Sequence, residues 1–157
     1  MILSCTAGVP NLSAQNGEVS FSGRQQGQFG FTPTTLTAGP KIVEITASGP
    51  ATHLGNSQTV IRGDVDLDEN LTPTPQPPGS WTLTAANGDK LIGTFTWRGT
   101  PTVEFGIFTL TGTYRITSGT GRFTNATGTG TGTGHLNCIT GVTTYTWNGT
   151  LLPRGPR

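Results

Sequence analysis

The sequence predicts an all-β protein, a single antiparallel β-barrel of about eight strands. Three observations predict this fold. The chain contains 24 glycines and 11 prolines and only 11% charged residues, a balance typical of many short strands and turns. Apolar and polar residues alternate with period two from Glu18 onward, and no window shows the three-and-four spacing of an amphipathic helix. Finally, the stretch that follows Ile116 contains a glycine-rich turn and then alternates threonine and glycine up to Gly134. This alternation predicts a strand with little side-chain bulk on one face.

The 157 residues fit one domain, residues 1–157, with one core. Residues 1–16 are weakly patterned, and we expect a weakly ordered segment or one that pairs with a partner. The Asn87-Gly88 pair predicts a tight hairpin, because both central residues of a type I′ turn need positive φ. Period-two alternation predicts strands, in chain order, at 18–23, 41–48, 59–68, 81–86, 90–98 and 108–117, in the Thr-Gly stretch ending at 134, and at 144–151.

Most of these strands have one apolar face and one threonine-rich face. A sheet with one wet face must close on itself or pack against a second sheet, so a barrel is predicted and a two-sheet sandwich is the alternative. For 41–48 the pattern does not decide which face is buried. The proline-rich segment 71–79 is predicted to be a surface loop, because proline lacks the backbone donor that a central strand needs.

The predicted interior carries several aromatic side chains. Glycines on the same faces, namely Gly93, Gly112 and Gly149, leave room for a ligand. Core packing is the first interpretation of this pattern, and a ligand pocket is the alternative. The candidate ligand-lining residues are Trp81, Phe95, Trp97, Tyr114, Tyr145 and Trp147.

Three alternating aspartates, Asp64, Asp66 and Asp68, resemble the opening of a calcium-binding loop, since calcium prefers several converging carboxylates. The glycine and the distal glutamate of such a loop are missing, and a solvated strand face is the alternative.

Two cysteines lie near opposite ends of the chain. A disulfide between Cys5 and Cys138 would tether the first segment to the region before the last strand. Two separate buried thiols are the alternative.

Four Asn-x-Ser/Thr sequons, in predicted loops or on outward faces, are glycosylation candidates. In a chain this rich in threonine and asparagine, several also arise by chance. They lie at Asn11, Asn70, Asn125 and Asn148.

Composition and motifs exclude several classes of function. A formal net charge of +1, with lysine and arginine scattered singly, leaves no basic face for nucleic acid. No apolar run approaches the roughly 20 residues of a membrane span, and residues 1–9 are too short and uncharged to be a complete signal peptide. No catalytic or phosphate-binding motif is present, which favours a protein that is not an enzyme and needs no cofactor.

The segment Ser118 to Gly128, SGTGRFTNATG, resembles the GGTGRF-x-x-A-x-G signature of dirigent proteins and, more loosely, of allene oxide cyclases. The upstream segments ATHLG (51–55) and WTLTAANGDKLIGTFT (81–96) are similar to parts of exported bacterial proteins of that barrel type. The resemblance implies a small antiparallel barrel, often oligomeric, whose apolar interior can hold a hydrophobic ligand. In the plant families the interior guides cyclisation or radical coupling without a cofactor, but their acidic and tyrosine catalytic positions have no motif-anchored counterpart here.

Taken together, these patterns predict an exported, non-enzymatic barrel that acts outside the cell or at its surface as a structural or interaction module. Its signal peptide is expected to be absent from this chain. Self-assembly into oligomers or fibres would follow from an unpaired segment or strand edge. The alternative is a binder, or a cofactor-independent cyclase or isomerase, of a small hydrophobic ligand in the barrel lumen.

Overall fold

Eight antiparallel strands form a closed barrel in chain order, and the closure is made by the first and last strands. This architecture comes from a computed structural model that describes residues 17–35, 37–70 and 72–154. The N-terminal segment 1–16 lies outside the described residues. The strands are β1 (Val19–Thr32), β2 (Gly39–Ala51), β3 (Gly55–Leu67), β4 (Pro73–Thr84), β5 (Lys90–Pro101), β6 (Ile107–Gly119), β7 (Thr127–Asn137) and β8 (Val142–Leu152).

The predicted fold class is confirmed, and the sandwich alternative is wrong because β1 pairs with β8 along its length, from Val19 opposite Leu151 to Gln28 opposite Val142. Each predicted strand segment overlaps one of the eight strands, and most strands are longer than predicted. The predicted segments 18–23, 59–68 and 81–86 run one or two residues past the observed strand ends. In β1 the second half escaped prediction because Gln25 and Gly27 occupy inward positions, which hides the apolar alternation. The facing of β2, which the pattern left open, places Val43 and Ile45 inside and Glu44 outside.

The prediction of a surface loop at 71–79 is wrong, since β4 begins at Pro73. Its first part pairs only with β3, from Pro73 opposite Leu67 to Gln76 opposite Asp64. A register shift follows, and pairing with β5 starts only at Gly79 opposite Phe95. A strand that is paired on one side can keep its prolines, because the missing N–H groups face no second ladder.

Apolar side chains close both ends of the barrel. We call the end with the turns 52–54, 85–89 and 120–126 the upper end, and the opposite end the lower end. The upper-end residues Phe21, Leu91, Ile116, Phe123 and Leu151 are at most 1% exposed. The lower end is filled by a second cluster that includes Phe29, Phe31, Val65, Leu67, Phe108, Leu136 and Cys138.

The GTGRF turn between β6 and β7 is a structural plug. Phe123 is fully buried in the upper-end cluster, and the Arg122 Nη2 donates to the carbonyl of His53 at 2.8 Å. Arg122 Nε also lies 3.5 Å from a carboxylate oxygen of Asp89. The turn therefore connects three loops of the upper end. The Phe123 ring fills the core beneath them, and the Arg122 side chain binds to the two neighbouring loops.

Candidate site in the barrel lumen

An apolar cavity of about 150 Å³ lies inside the barrel between the two end clusters. All six aromatic residues named from the sequence lie on its wall, together with aliphatic residues such as Ile45, Ile61 and Leu110. No lysine, arginine, histidine, aspartate or glutamate of the described chain lines it. The cavity can therefore hold a small apolar molecule, but its lining offers no charged group for acid-base chemistry.

The inward glycines mostly make room for aromatic rings rather than for a ligand. A Cβ on Gly93 would overlap the Trp81 ring, and one on Gly149 or Gly130 would overlap the hydroxyl end of Tyr114. The ring of Trp147 lies in the same way against Gly23. In these contacts the rings occupy the space that the glycines leave on nearby strands, which explains why eight strands rich in aromatics still leave only a small cavity.

The rings also contact one another. Tyr114 packs edge-on against Phe21 and Trp81, with centroids 6.2 and 6.1 Å apart, and Tyr145 lies 5.8 Å from Trp147. Such edge-on pairs are the preferred arrangement of aromatic quadrupoles. Trp81 places its one polar atom outside this cluster, since its Nε1 donates to the Thr94 carbonyl at 3.1 Å. The aromatic wall is thus held by packing and leaves few polar atoms toward the cavity.

A chain of hydrogen bonds crosses one side of the lumen. The Tyr145 hydroxyl donates to Gln25 Oε1 at 2.6 Å, and Gln25 Nε2 donates to Ser57 Oγ at 3.0 Å and more weakly to its carbonyl. Ser57 Oγ in turn donates to the carbonyl of Gly49 at 3.0 Å. Gln25 and Ser57 are each 1% exposed, so these bonds satisfy polar groups that burial would otherwise leave unpaired.

Two other hydroxyls on the cavity wall, Thr59 Oγ1 and Tyr114 Oη, are buried without a hydrogen-bond partner among the described residues. Burial raises the pKa of Tyr114 to about 12. Burial likewise raises the pKa of Tyr145 to about 12, against a smaller lowering by nearby Thr59. Both phenols therefore stay protonated through the neutral range, as donors rather than as bases.

A second cavity opens on the side of the barrel, and we call it the seam cleft. Below Gly79, β4 pairs only with β3, and β5 from Thr96 to Pro101 pairs only with β6. The cleft between these two edges has a volume of about 550 Å³. Phe95, Thr96 and Trp97 are the described residues that line both the cleft and the lumen cavity, and they form the shared wall between the two.

The residues proposed as an oxygen-ligand site lie on the outer face of β3. Asp64 and Asp66 are exposed, and Asp68 accepts hydrogen bonds from the backbone N–H groups of Asn70 and Thr72, both at 2.8 Å. In the described part of the chain, no three histidine, cysteine, aspartate or glutamate side chains are grouped as a metal site. The third aspartate instead closes the turn after β3.

Three of the four sequons are described. Asn70 and Asn125 lie exposed in turns, and Asn148 lies exposed on β8, where its Oδ1 accepts from Thr131 at 3.2 Å. Asn11 lies outside the described residues. Whether any of them carries a glycan stays a prediction.

The predicted disulfide is also untested, because Cys5 lies outside the described residues. Cys138 is buried in the lower-end cluster, and burial raises the pKa of its thiol to about 11. A thiol in that environment is protonated at neutral pH and therefore a poor nucleophile.

Sequence reasoning missed the polar side of the lumen. Gln25, Ser57 and Thr143 are buried at 1% exposure, yet none was named as a candidate, because single polar residues inside strands resemble outward positions. The alternation along the strand did contain a signal. Gln25, for example, lies on the same face of β1 as the buried residues Phe21 and Phe29.

No protein-family model, curated protein or solved structure matches the chain. Among the described residues, no helix has the length and apolar character needed to cross a membrane.

Proposed function

We propose that the protein binds a small apolar molecule in the barrel lumen. The observation that carries this proposal is the apolar cavity of about 150 Å³, lined by the aromatic residues. An apolar cavity of roughly this size stays dry in other proteins and takes up benzene-sized molecules, because a water there finds too few polar partners. The ligand is therefore of the size of a single ring.

We infer that the ligand reaches the lumen through the seam cleft. Access through either end would displace side chains that are almost fully buried, such as Phe123 above and Phe108 below. At the seam, by contrast, no ladder hydrogen bonds join the described edges of β4 and β5, and only the shared wall must move. Side-chain movement is faster and less unfavourable than opening a packed end of the barrel.

Binding is tested with toluene, which should raise the melting temperature of the protein progressively with toluene concentration, because the stabilisation is RT ln(1 + c/Kd) at a free toluene concentration c. Gly132 lines the cavity, and a Cβ there would lie no closer than 3.3 Å to another atom, the Thr146 carbonyl oxygen. Gly132→Val should fill the cavity and abolish the toluene effect. Thr131→Val, on the outer face of the same strand, is the matched control and should keep it. A wild-type melting temperature that does not move up to the solubility limit of toluene would contradict the proposal.

A second proposed function is self-association, in which one copy of the chain is the partner of another. Two apolar side chains of the turn 102–106, Val103 and Phe105, are 105% and 72% exposed, and Ile139 of the neighbouring turn is 66% exposed. A hydrogen bond joins the two turns, in which the backbone N–H of Cys138 donates to the Gly106 carbonyl at 2.7 Å. This apolar patch continues into the unpaired edge of β5, which offers backbone groups to a second sheet.

Sedimentation velocity tests this second function. Oligomers should increase with protein concentration, and Phe105→Asp should dissolve them, whereas Glu104→Gln in the same exposed turn should not. Monomers at every concentration would refute it. An exported location, with this module acting outside the cell, remains part of the same proposal and rests on the dirigent-like resemblance.

A further inference from the structure

We propose that the lumen ligand carries a hydroxyl or carbonyl group that hydrogen-bonds to Thr59 Oγ1. This inference rests on the proposed lumen binding and names the class of ligand. The class is a one-ring alcohol or ketone, as opposed to a pure hydrocarbon or a charged acid or amine.

Thr59 is the strongest indication. Its side chain is 5% exposed and lines the cavity; its Oγ1 lies near the Tyr145 hydroxyl but within hydrogen-bond distance of no described residue. Its neighbour on the same face of β3, Ser57, has a hydroxyl that both donates and accepts. Of these two adjacent buried hydroxyls, Ser57 therefore has hydrogen-bond partners and Thr59, on the cavity wall, has none. A buried polar group without a partner is rare in a folded protein and needs an explanation.

Tyr114 supplies a second donor, on the side of the barrel formed by β7 and β8 and not beside Thr59. Its Oη lies against the backbone of Gly130 and Gly149 and is buried without a partner in the described chain. Because burial keeps the phenol protonated, it can donate to a ligand carbonyl or hydroxyl at any neutral pH.

Bound water is a poorer explanation than a ligand. A buried water is held by two to four polar partners, whereas beside Thr59 the wall offers the Tyr145 hydroxyl, whose proton already goes to Gln25, and apolar residues such as Ile61 on the same strand and Leu83 opposite on β4. A ligand with one polar atom satisfies the hydroxyl and fills the apolar remainder of the cavity with its ring. The absence of a charged residue from the described cavity wall disfavours a carboxylate or ammonium ligand, whose charge would be buried unpaired.

The test compares two probes of similar shape, phenol and toluene, by isothermal titration against the full chain. Thr59→Val keeps the shape of the side chain and removes its hydroxyl. We expect the Kd of phenol to rise about fivefold in this variant and that of toluene to stay within about twofold, the size expected for one hydrogen bond. Tyr114→Phe should act in the same direction, and Thr131→Val on the outer face is the control that should change neither Kd.

Three outcomes decide the matter. A selective loss of phenol affinity in Thr59→Val supports the assignment. Equal changes for the two probes, or none, overturn the hydrogen bond while leaving lumen binding intact. If neither probe binds the wild-type protein, both the ligand class and the proposed function are wrong.

Discussion

Replacing each of the two lumen tyrosines by phenylalanine should have clearly different consequences for stability. Tyr145→Phe removes the hydroxyl that donates to Gln25 Oε1 at 2.6 Å. Because Gln25 is 1% exposed, the carboxamide oxygen is left buried without this donor. Losing one partner of a buried pair destabilises by about 1–3 kcal/mol. Tyr114→Phe removes a hydroxyl that has no partner in the described chain, so we expect a change within about 0.5 kcal/mol, or a gain.

The two variants are matched, since each deletes one oxygen atom from the wall of the same cavity. Equilibrium unfolding in urea measures the difference, which should appear as a lower midpoint for Tyr145→Phe at unchanged slope. In a thermal scan, each kcal/mol corresponds to about 2–4 °C for a domain of this size. Equal losses in the two variants, or a larger loss for Tyr114→Phe, would refute the reasoning that the buried network stabilises this side of the lumen.

Three further predictions follow from the seam, the phenols and the upper turn. The first introduces cysteines at Gln76 and Arg98 and joins them with a short bis-maleimide across the seam. Toluene association and dissociation, followed by stopped-flow fluorescence, should slow by about tenfold, while Kd should change by less than about twofold. Stability should fall as pH rises from about 10 to about 12, because the buried tyrosines titrate near pH 12 in the folded protein and near pH 10 when unfolded; the fall, followed by urea midpoints, should be smaller in the Tyr145 variant. Gly121→Ala should destabilise the fold by more than the about 1–2 kcal/mol of left-handed strain, since at φ +57° its Cβ also meets the Asp89 carboxylate.

Each of these has its own control. The crosslink is made in a chain whose native cysteines are serine, and a second pair at Thr46 and Val60, which are exposed and face each other on the intact β2–β3 ladder, should leave the exchange rates unchanged. Rates that are equally slow or equally fast for both pairs would rule out access through the seam. For the turn, Gly88→Ala carries positive φ with no atom within 4 Å of the new Cβ, so a loss as large as that of Gly121→Ala would show that contact with Asp89 is irrelevant. A flat alkaline profile would mean that the phenols are not buried.

Much of the barrel could be predicted from local pattern. The alternation in β5, where Leu91 and Gly93 are buried and Arg98 is exposed, states which face is inward, because successive side chains in a strand point to opposite sides. The aromatic wall was predictable for the same reason. The polar network was not, since a buried Gln25 becomes visible only when Tyr145 and Ser57, 120 and 32 residues away, are brought beside it.

The seam shows the limit of local reasoning most directly. Proline at 73, 75 and 78 does exclude a doubly paired strand, and the sequence indicated that much. It did not show that the segment would nonetheless pair on one side with β3, because that depends on whether β5 continues beside it. The missing N–H groups of the prolines prevent this segment from pairing with strands on both sides. Whether it then becomes a loop or a strand with one open edge depends on the neighbouring strands.

By itself the sequence determined the fold class, the inward and outward faces and the set of aromatic residues that meet inside, since these depend on side-chain alternation and turn chemistry within short windows. The tertiary structure decided the closure of the barrel, the volume of about 150 Å³ that the rings leave free, the two wall hydroxyls without partners in the described chain and the seam cleft. These are properties of volumes and bonds shared between strands far apart in the chain. The volume of a cavity is the small difference between the space that the barrel encloses and the volume of the side chains that fill it. No local sequence pattern determines that difference.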